Sequence, residues 1–295
     1  MSIRLSHSAK DRYLRCPLSY HMHYNLRLRE EIIGSPLLFG SAIDDGLNVM
    51  VVTRSLEDAI KAFDKSWTTA EINGVSTELK TSKLIRYSKA DNDESLITED
   101  MIIPSKVIPQ WVIMQQKGHM MLTAYYNEVL PKIKKVLEVQ KYFSLPNGNG
   151  DEIIGYLDLL CEWEDGRVLI LDNKTSSKKY ADDKIETEGG QLALYKEAFS
   201  RDYPIDGVGY LVLEKGIRKR EPRTRTQILL GDVSEELTEK TFDEFSKVLY
   251  GIRMGNFESN HPICNTYFGE CICNLYHPSG GQDLTGLTHV PRGKR

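Results

Sequence analysis

The sequence predicts an α/β fold: a central mixed β-sheet flanked by helices, with N-terminal and C-terminal helical layers around it. Three observations carry that expectation. Ile153-Ile154 and Val168 to Leu171 belong to near-continuous apolar runs, which suit strands buried on both faces. The turn tripeptide Glu164-Asp165-Gly166 stands between two such runs and makes them a hairpin. Segments with a helical apolar period, 111–137 and 234–252, lie on either side of it in the chain.

From the amino terminus, residues 6–29 read as an amphipathic helix starting at Ser6 or Ser8, with Tyr13, Cys16, Tyr20 and Tyr24 recurring at three and four. Pro17 breaks that helix or starts a second one. Gly40-Ser41 opens a capped helix carrying the adjacent acids Asp44 and Asp45. Residues 66–109 become polar and weakly periodic, as a flexible insertion or lid does. A long helix follows from Trp111 to Leu137, with Met114, Met121, Leu122, Tyr125 and Val129 on its apolar side. Strands at 136–145 and 152–163 are joined by a Pro-Asn-Gly-Asn-Gly turn.

The hairpin's numbering fixes a geometry. If 164–166 is a three-residue loop with Gly166 in the left-handed region, facing residues sum to a constant that sets Asp158 opposite Asp172. Their Cβ atoms are then roughly 5 Å apart, close enough to share a cation. Lys174 follows Asp172 by two and shares its face. Beyond the Gly189-Gly190 break, Gln191 and Tyr195 project from one face of a helix. Strands at 207–213 and 227–230 then enclose a basic segment with Lys215, Arg218, Lys219, Arg220, Arg223 and Arg225, which reads either as a phosphate-contacting hairpin or as a solvated one. The organisation expected is an N-terminal helical region over 1–135 with a polar insertion at about 66–110, a core over 136–230, and a C-terminal helix with a cysteine-rich region over 231–295.

The order of these parts is more specific than any one of them. G-x-x-D at Gly155 to Asp158, D-x-K at Asp172 to Lys174 and Q-x-x-x-Y at Gln191 to Tyr195 resemble the PD-(D/E)XK nuclease superfamily, in particular its RecB-like branch, which includes the CRISPR-associated exonucleases. Cys16-Pro17 resembles that branch's opening helix, and Gly40 to Asp44 its G-S/T-x-x-H element with aspartate at the histidine position. The resemblance implies a restriction-endonuclease-like core and a metal-dependent DNA nuclease, an exonuclease, acting in replication, recombination or repair. It implies Mg2+ or Mn2+ held by Asp158, Asp172, Asp44 and the Asn173 carbonyl, with Lys174 orienting water or neutralising charge, and Gln191 and Tyr195 positioning the lysine and the DNA backbone. It further implies a 4Fe-4S cluster on Cys16, Cys264, Cys271 and Cys273 that ties the chain's ends together. A zinc site from Cys264, Cys271, Cys273 and His277 stays open beside it, as do plain buried thiols. Expected partners are DNA ends and helicase, recombination or CRISPR-adaptation proteins. The alternative function is a catalytically inactive DNA-binding or assembly module of the same fold, or another metal-dependent hydrolase on it.

Bulk composition bounds these readings. The chain has 295 residues, 40% of them hydrophobic, enough for a sizeable core. Its 38 basic and 42 acidic residues give a net charge of -4, so any DNA contact must use a local patch. The start of the chain has no secretory apolar stretch, and no run reaches the roughly 20 residues of a bilayer span, so a cytoplasmic protein is expected. Five cysteines fit a reducing compartment and metal binding, with Cys161 read as a small core residue.

Overall fold

A computed structural model describes residues 2–80, 82–87, 110–216, 224–259, 276 and 281–290. The chain enters as a short strand, β1 (Arg4–Ser6), and turns at once into α1 (His7–Arg15), whose Ser6 cap accepts a hydrogen bond from the Ala9 amide at 3.3 Å. Pro17 occupies the first position of α2 (Pro17–Tyr20), where a missing N–H costs nothing, and a π-turn follows. The helix expected over 6–29 thus divides at Pro17, as its proline implied, and a further π-turn ends it by Asn25.

Two short strands, β2 (Leu28–Glu30) and β3 (Ile33–Gly34), lead to α3 (Ser35–Thr53) and α4 (Leu56–Thr68). Between these helices Arg54 takes φ 57° and donates to the carbonyls of Ile133 and Leu130 at 2.8 and 2.9 Å. The expected polar insertion contains a hairpin, β4 (Thr69–Ile72) with β5 (Val75–Glu78), and the strand β6 (Ile85–Arg86). Residues 88–109 of that insertion lie outside the described residues. The helix expected to run to Leu137 stops earlier: α5 (Gln110–Glu128) gives way to a 3-10 turn at Pro131, and β7 (Ile133–Pro146) begins there. Next come β8 (Glu152–Trp163), β9 (Val168–Ser176), α6 (Lys184–Glu188), α7 (Gly190–Phe199), β10 (Gly207–Glu214), β11 (Arg225–Gly231), α8 (Glu235–Arg253) and β12 (Leu287–His289).

The main sheet is mixed and six-stranded. β7 pairs antiparallel with β8 along nearly its whole length, which fills one edge of β8. The other edge is shared: β9 runs antiparallel to it at residues 159–162, and β1 runs parallel to it at residues 152–154. The sheet thus forks, and between these two partners the edge from Gly155 to Asp158 has no strand beside it among the described residues. Beyond the fork, β9 pairs with β10 in parallel and β10 with β11 antiparallel.

Two cores sandwich the sheet. Phe39, Leu47, Phe63, Trp67, Met121 and Tyr125 from α3, α4 and α5 close one face. Trp67 and Trp111 lock that layer by donating reciprocally to each other's carbonyl at 3.1 and 2.9 Å. On the other face lie Tyr13 of α1, Leu192 and Tyr195 of α7, and Phe245 and Leu249 of α8. A third, small cluster of Cys16, Leu18, Met22 and Leu28 meets Tyr276 and Leu287, because β12 pairs antiparallel with β2. The chain's two ends are joined there. No described helix is long and apolar enough to cross a membrane.

Candidate active site

The β8–β9 hairpin has the pairing its turn dictates. Leu159 faces Leu171, Leu160 faces Ile170, and the Trp163 amide donates to Arg167 O at 2.8 Å around a loop in which Gly166 takes φ 90°. Continuing that register by one residue sets Asp158 opposite Asp172, and the Asn173 amide donates to Asp158 Oδ2 at 3.1 Å. Both aspartates sit at the fork, where β8 and β9 part.

Asp172 is fully buried and belongs to a closed ring of side chains. Lys174 ion-pairs with it and donates to Gln191 Oε1 at 3.2 Å. The Gln191 amide in turn donates to the Tyr195 hydroxyl at 2.5 Å, and that hydroxyl donates back to Asp172 Oδ1 at 3.5 Å. Gln191 and Tyr195 share a helix face because α7 starts at the Gly189-Gly190 break. A Cβ on Gly190 would lie 2.9 Å from Thr241 Oγ1, so a side chain there would push α7 away from α8. Four of the sequence-predicted catalytic residues, Asp172, Lys174, Gln191 and Tyr195, are thereby linked by contacts, and Asp158 stands beside them.

A cavity of about 260 Å3 opens on the other side of Lys174, lined by Asp44, Asp158, Asn173, Lys174 and Thr175. Burial, then the Asp172 charge, pushes the Asp158 carboxyl up to about 8. Asp44 also lies above the usual carboxylate range, first through burial, although a hydrogen bond from Asn48 opposes the rise. For Lys174 burial alone would lower the pKa, but the Asp172 carboxylate outweighs it and the ammonium is held above its ordinary value. Burial drives the Tyr195 phenol far up, so it stays a hydrogen-bond donor. The His7 imidazole, beside the ring at the start of α1, is lowered by burial and is neutral at pH 7.

The donors around this cavity suit a hard divalent cation: carboxylates forced together and resisting ionisation, and Asn173 Oδ1 buried without a hydrogen-bond partner. Among the described residues, no three His, Cys, Asp or Glu side chains form a metal-holding group by themselves. Backbone oxygen and water would have to complete the shell.

Sequence reasoning missed Gln140. It stands across β7–β8 from Asp158, takes φ 50°, and turns its carboxamide toward Asp44 Oδ2 at 3.4 Å and Asn48 Oδ1 at 3.5 Å. Strand alternation slips by one at this level: Leu157 packs with the α7 side, yet Leu159 and Cys161 pack with the α3 side, and Phe143 and Val139 on β7 divide likewise. Gln140, left-handed and paired with the aspartate, stands where the slip occurs. Nothing in its residue type signals this, since glutamine has no preference for that conformation. His7 and the unpaired β8 edge went equally unseen, because a three-residue strand paired across 148 positions leaves no local pattern.

Other expected site residues fall elsewhere or outside view. Lys215 lies with its ammonium 5.5 Å from the Phe39 ring, and Arg225 faces Glu214 at the start of β11. Arg218, Lys219, Arg220 and Arg223 lie outside the described residues, as do Cys264, Cys271, Cys273 and His277. Cys16 is buried at the cap of α2, where the chain's ends meet, and Cys161 is a buried core residue as expected.

A sequence profile of the PD-(D/E)XK nuclease superfamily matches residues 4–266. No curated protein matches the chain. Among solved structures, a putative exonuclease from Eubacterium rectale is similar at 13% identity over 94% of this chain and 93% of that one, with a TM-score of 0.49. The protein SSO0001 is similar at 13% identity over 79% and 84%, with a TM-score of 0.30.

Proposed function

The chain belongs to the PD-(D/E)XK nuclease superfamily, and from that premise we propose that it is a divalent-metal-dependent deoxyribonuclease, exonucleolytic and of the RecB-like branch. The observation that carries this reading is the ring of Asp172, Lys174, Gln191 and Tyr195 closed beside Asp158 at the fork of the sheet. A buried carboxylate with a charged lysine, both oriented from a second element, is an arrangement for stabilising charge on a phosphate.

Asp158, Asp172, Asp44 and Asn173 would hold Mg2+ or Mn2+. Such an ion, when bound, lowers the pKa of water and offsets charge on the phosphoryl oxygens. The chain's own part is positional. Lys174 remains protonated through Asp172 and presents its ammonium to the cavity that lodges the scissile phosphate. Gln191 fixes the lysine's direction, while Tyr195 holds Asp172 Oδ1 and keeps that carboxylate from turning inward. Hydrolysis bonds a water oxygen to phosphorus, breaks one ester bond and passes the proton to the leaving oxygen. Lys215, packed on the Phe39 ring, precedes in sequence the basic residues Arg218, Lys219, Arg220, Arg223 and Arg225, which would supply a local patch for phosphates on a chain of net negative charge. Cys16, with Cys264, Cys271 and Cys273, would ligate a 4Fe-4S cluster where β12 returns to β2, with zinc on the tail cysteines and His277 as the other metal reading.

A catalytically inert DNA-binding module is the second reading. Aspartate at the family's histidine position favours it, as does the lack of a closed three-ligand group among the described residues. End-labelled single- and double-stranded DNA with Mn2+, Mg2+ or EDTA separates the two. Metal-dependent shortening of the labelled strand that Asp172→Ala abolishes is the expected result, and DNA bound but uncut with either ion would overturn catalysis.

A further inference from the structure

Two cavities meet at the Lys174–Gln191 contact, and the acidic cluster uses one of them. The other, about 420 Å3, is bounded by Ser6, His7, Gly155, Tyr156, Gln191 and Tyr195. It opens where the fork leaves the edge of β8 without a neighbouring strand among the described residues. Its floor at Gly155 is bare backbone, because a Cβ there would come within 2.7 Å of the Phe143 ring. At its mouth Tyr156 is 57% exposed and Tyr142, facing it across the ladder, is 40% exposed. The two rings stand 5.4 Å apart at 63°, with the Arg4 guanidinium 5.8 Å from the Tyr142 centroid.

A cross-strand tyrosine pair by itself stabilises a sheet. This one differs in place and company. Tyr156 precedes Asp158 by two residues on the same strand, and it lines a cavity whose far wall is the Gln191–Tyr195 pair of the catalytic ring. That cavity suits a flat, uncharged group better than an anion, since the Asp11 carboxylate also borders it. We propose that the cavity, with Tyr156 and Tyr142 at its mouth, is a stacking subsite for an unpaired nucleobase next to the scissile phosphate, making single-stranded DNA the preferred substrate. The inference rests on the nuclease reading above. An unpaired base has a free face for a tyrosine ring, whereas bases within a duplex already stack on each other.

The test uses full-length protein in EDTA, so that DNA stays intact, and oligonucleotides carrying 2-aminopurine at successive positions from each end. In the wild type one position should lose its fluorescence several-fold on binding, as a stacked base does. Tyr156→Ala should abolish that quench and weaken single-strand binding about tenfold, or about 1.4 kcal/mol, while leaving affinity for blunt duplex unchanged. Tyr156→Phe should restore both, because the stacking face remains and only the hydroxyl is gone. Wild-type binding with no quenched position, or a Tyr156→Ala variant indistinguishable from wild type, overturns the subsite and leaves the nuclease reading standing. Wild-type protein that binds no DNA even when Ca2+ replaces EDTA refutes both.

Discussion

Asp158→Asn should make the metal-free protein more stable, and more so the higher the pH. The folded carboxyl is pushed up to about 8 by burial and by Asp172. An unfolded aspartate titrates near 3.9, so between about pH 4 and pH 8 the folded state holds a proton that unfolding releases. Stability therefore falls as pH rises through that window. Four units at about 1.4 kcal/mol each set an upper limit of about 5 kcal/mol, and half-burial with screening by water reduces the measurable loss at pH 8 to about 2–3 kcal/mol. Asp44, raised in the same direction, leaves a shallow residual slope in the variant, and Lys174 acts above this window. Urea unfolding in EDTA at pH 5, 6, 7 and 8 reads the effect directly. Wild-type and variant midpoints should differ least at pH 5 and separate steadily toward pH 8. Saturating Mn2+ should remove the wild-type slope and give the variant little benefit. Midpoints that run parallel across the series would refute the claim that this carboxylate is charged at the fold's expense.

Charge removal at Arg218, Lys219 and Arg220 together should weaken DNA binding without sequence bias and reduce the slope of log affinity against log salt by roughly 2–3; an unchanged slope in a filter-binding titration would make the segment a solvated loop. Protein purified without oxygen should be brown, with broad absorption that Cys16→Ser bleaches; colourless protein that contains zinc, with Cys16→Ser harmless, would assign the tail cysteines and His277 to that metal instead.

The arrangement of the candidate site was legible in the sequence as far as local geometry reaches. Gly166 ends a loop whose length fixes the register of β8 on β9, so Asp158 and Asp172 could be paired by counting, and the i, i+4 spacing set Gln191 above Tyr195. The helix that was read through Leu137 shows where that method ends. Its apolar period persists past Glu128 into β7, and Pro131 was the sole mark of the change. Gln140 and the fork at Gly155 arise from tertiary demands, a face switch and a strand borrowed from the far end of the chain, that no short window of residues records.

That borrowed strand has a consequence for how the molecule is made. Leu5 lies beside Ile153, so the first six residues have nowhere to pair until more than half of the chain has left the ribosome. At synthesis rates of about 5–20 residues per second this wait is on the order of ten seconds or more, and α1 with His7 stays undocked throughout. The wall of the fork thus cannot close until β8, β9 and α7 have all been made. An affinity tag or deletion ahead of β1, ordinarily treated as neutral, would here alter a strand of the central sheet and the chamber beside the ring of Asp172, Lys174, Gln191 and Tyr195.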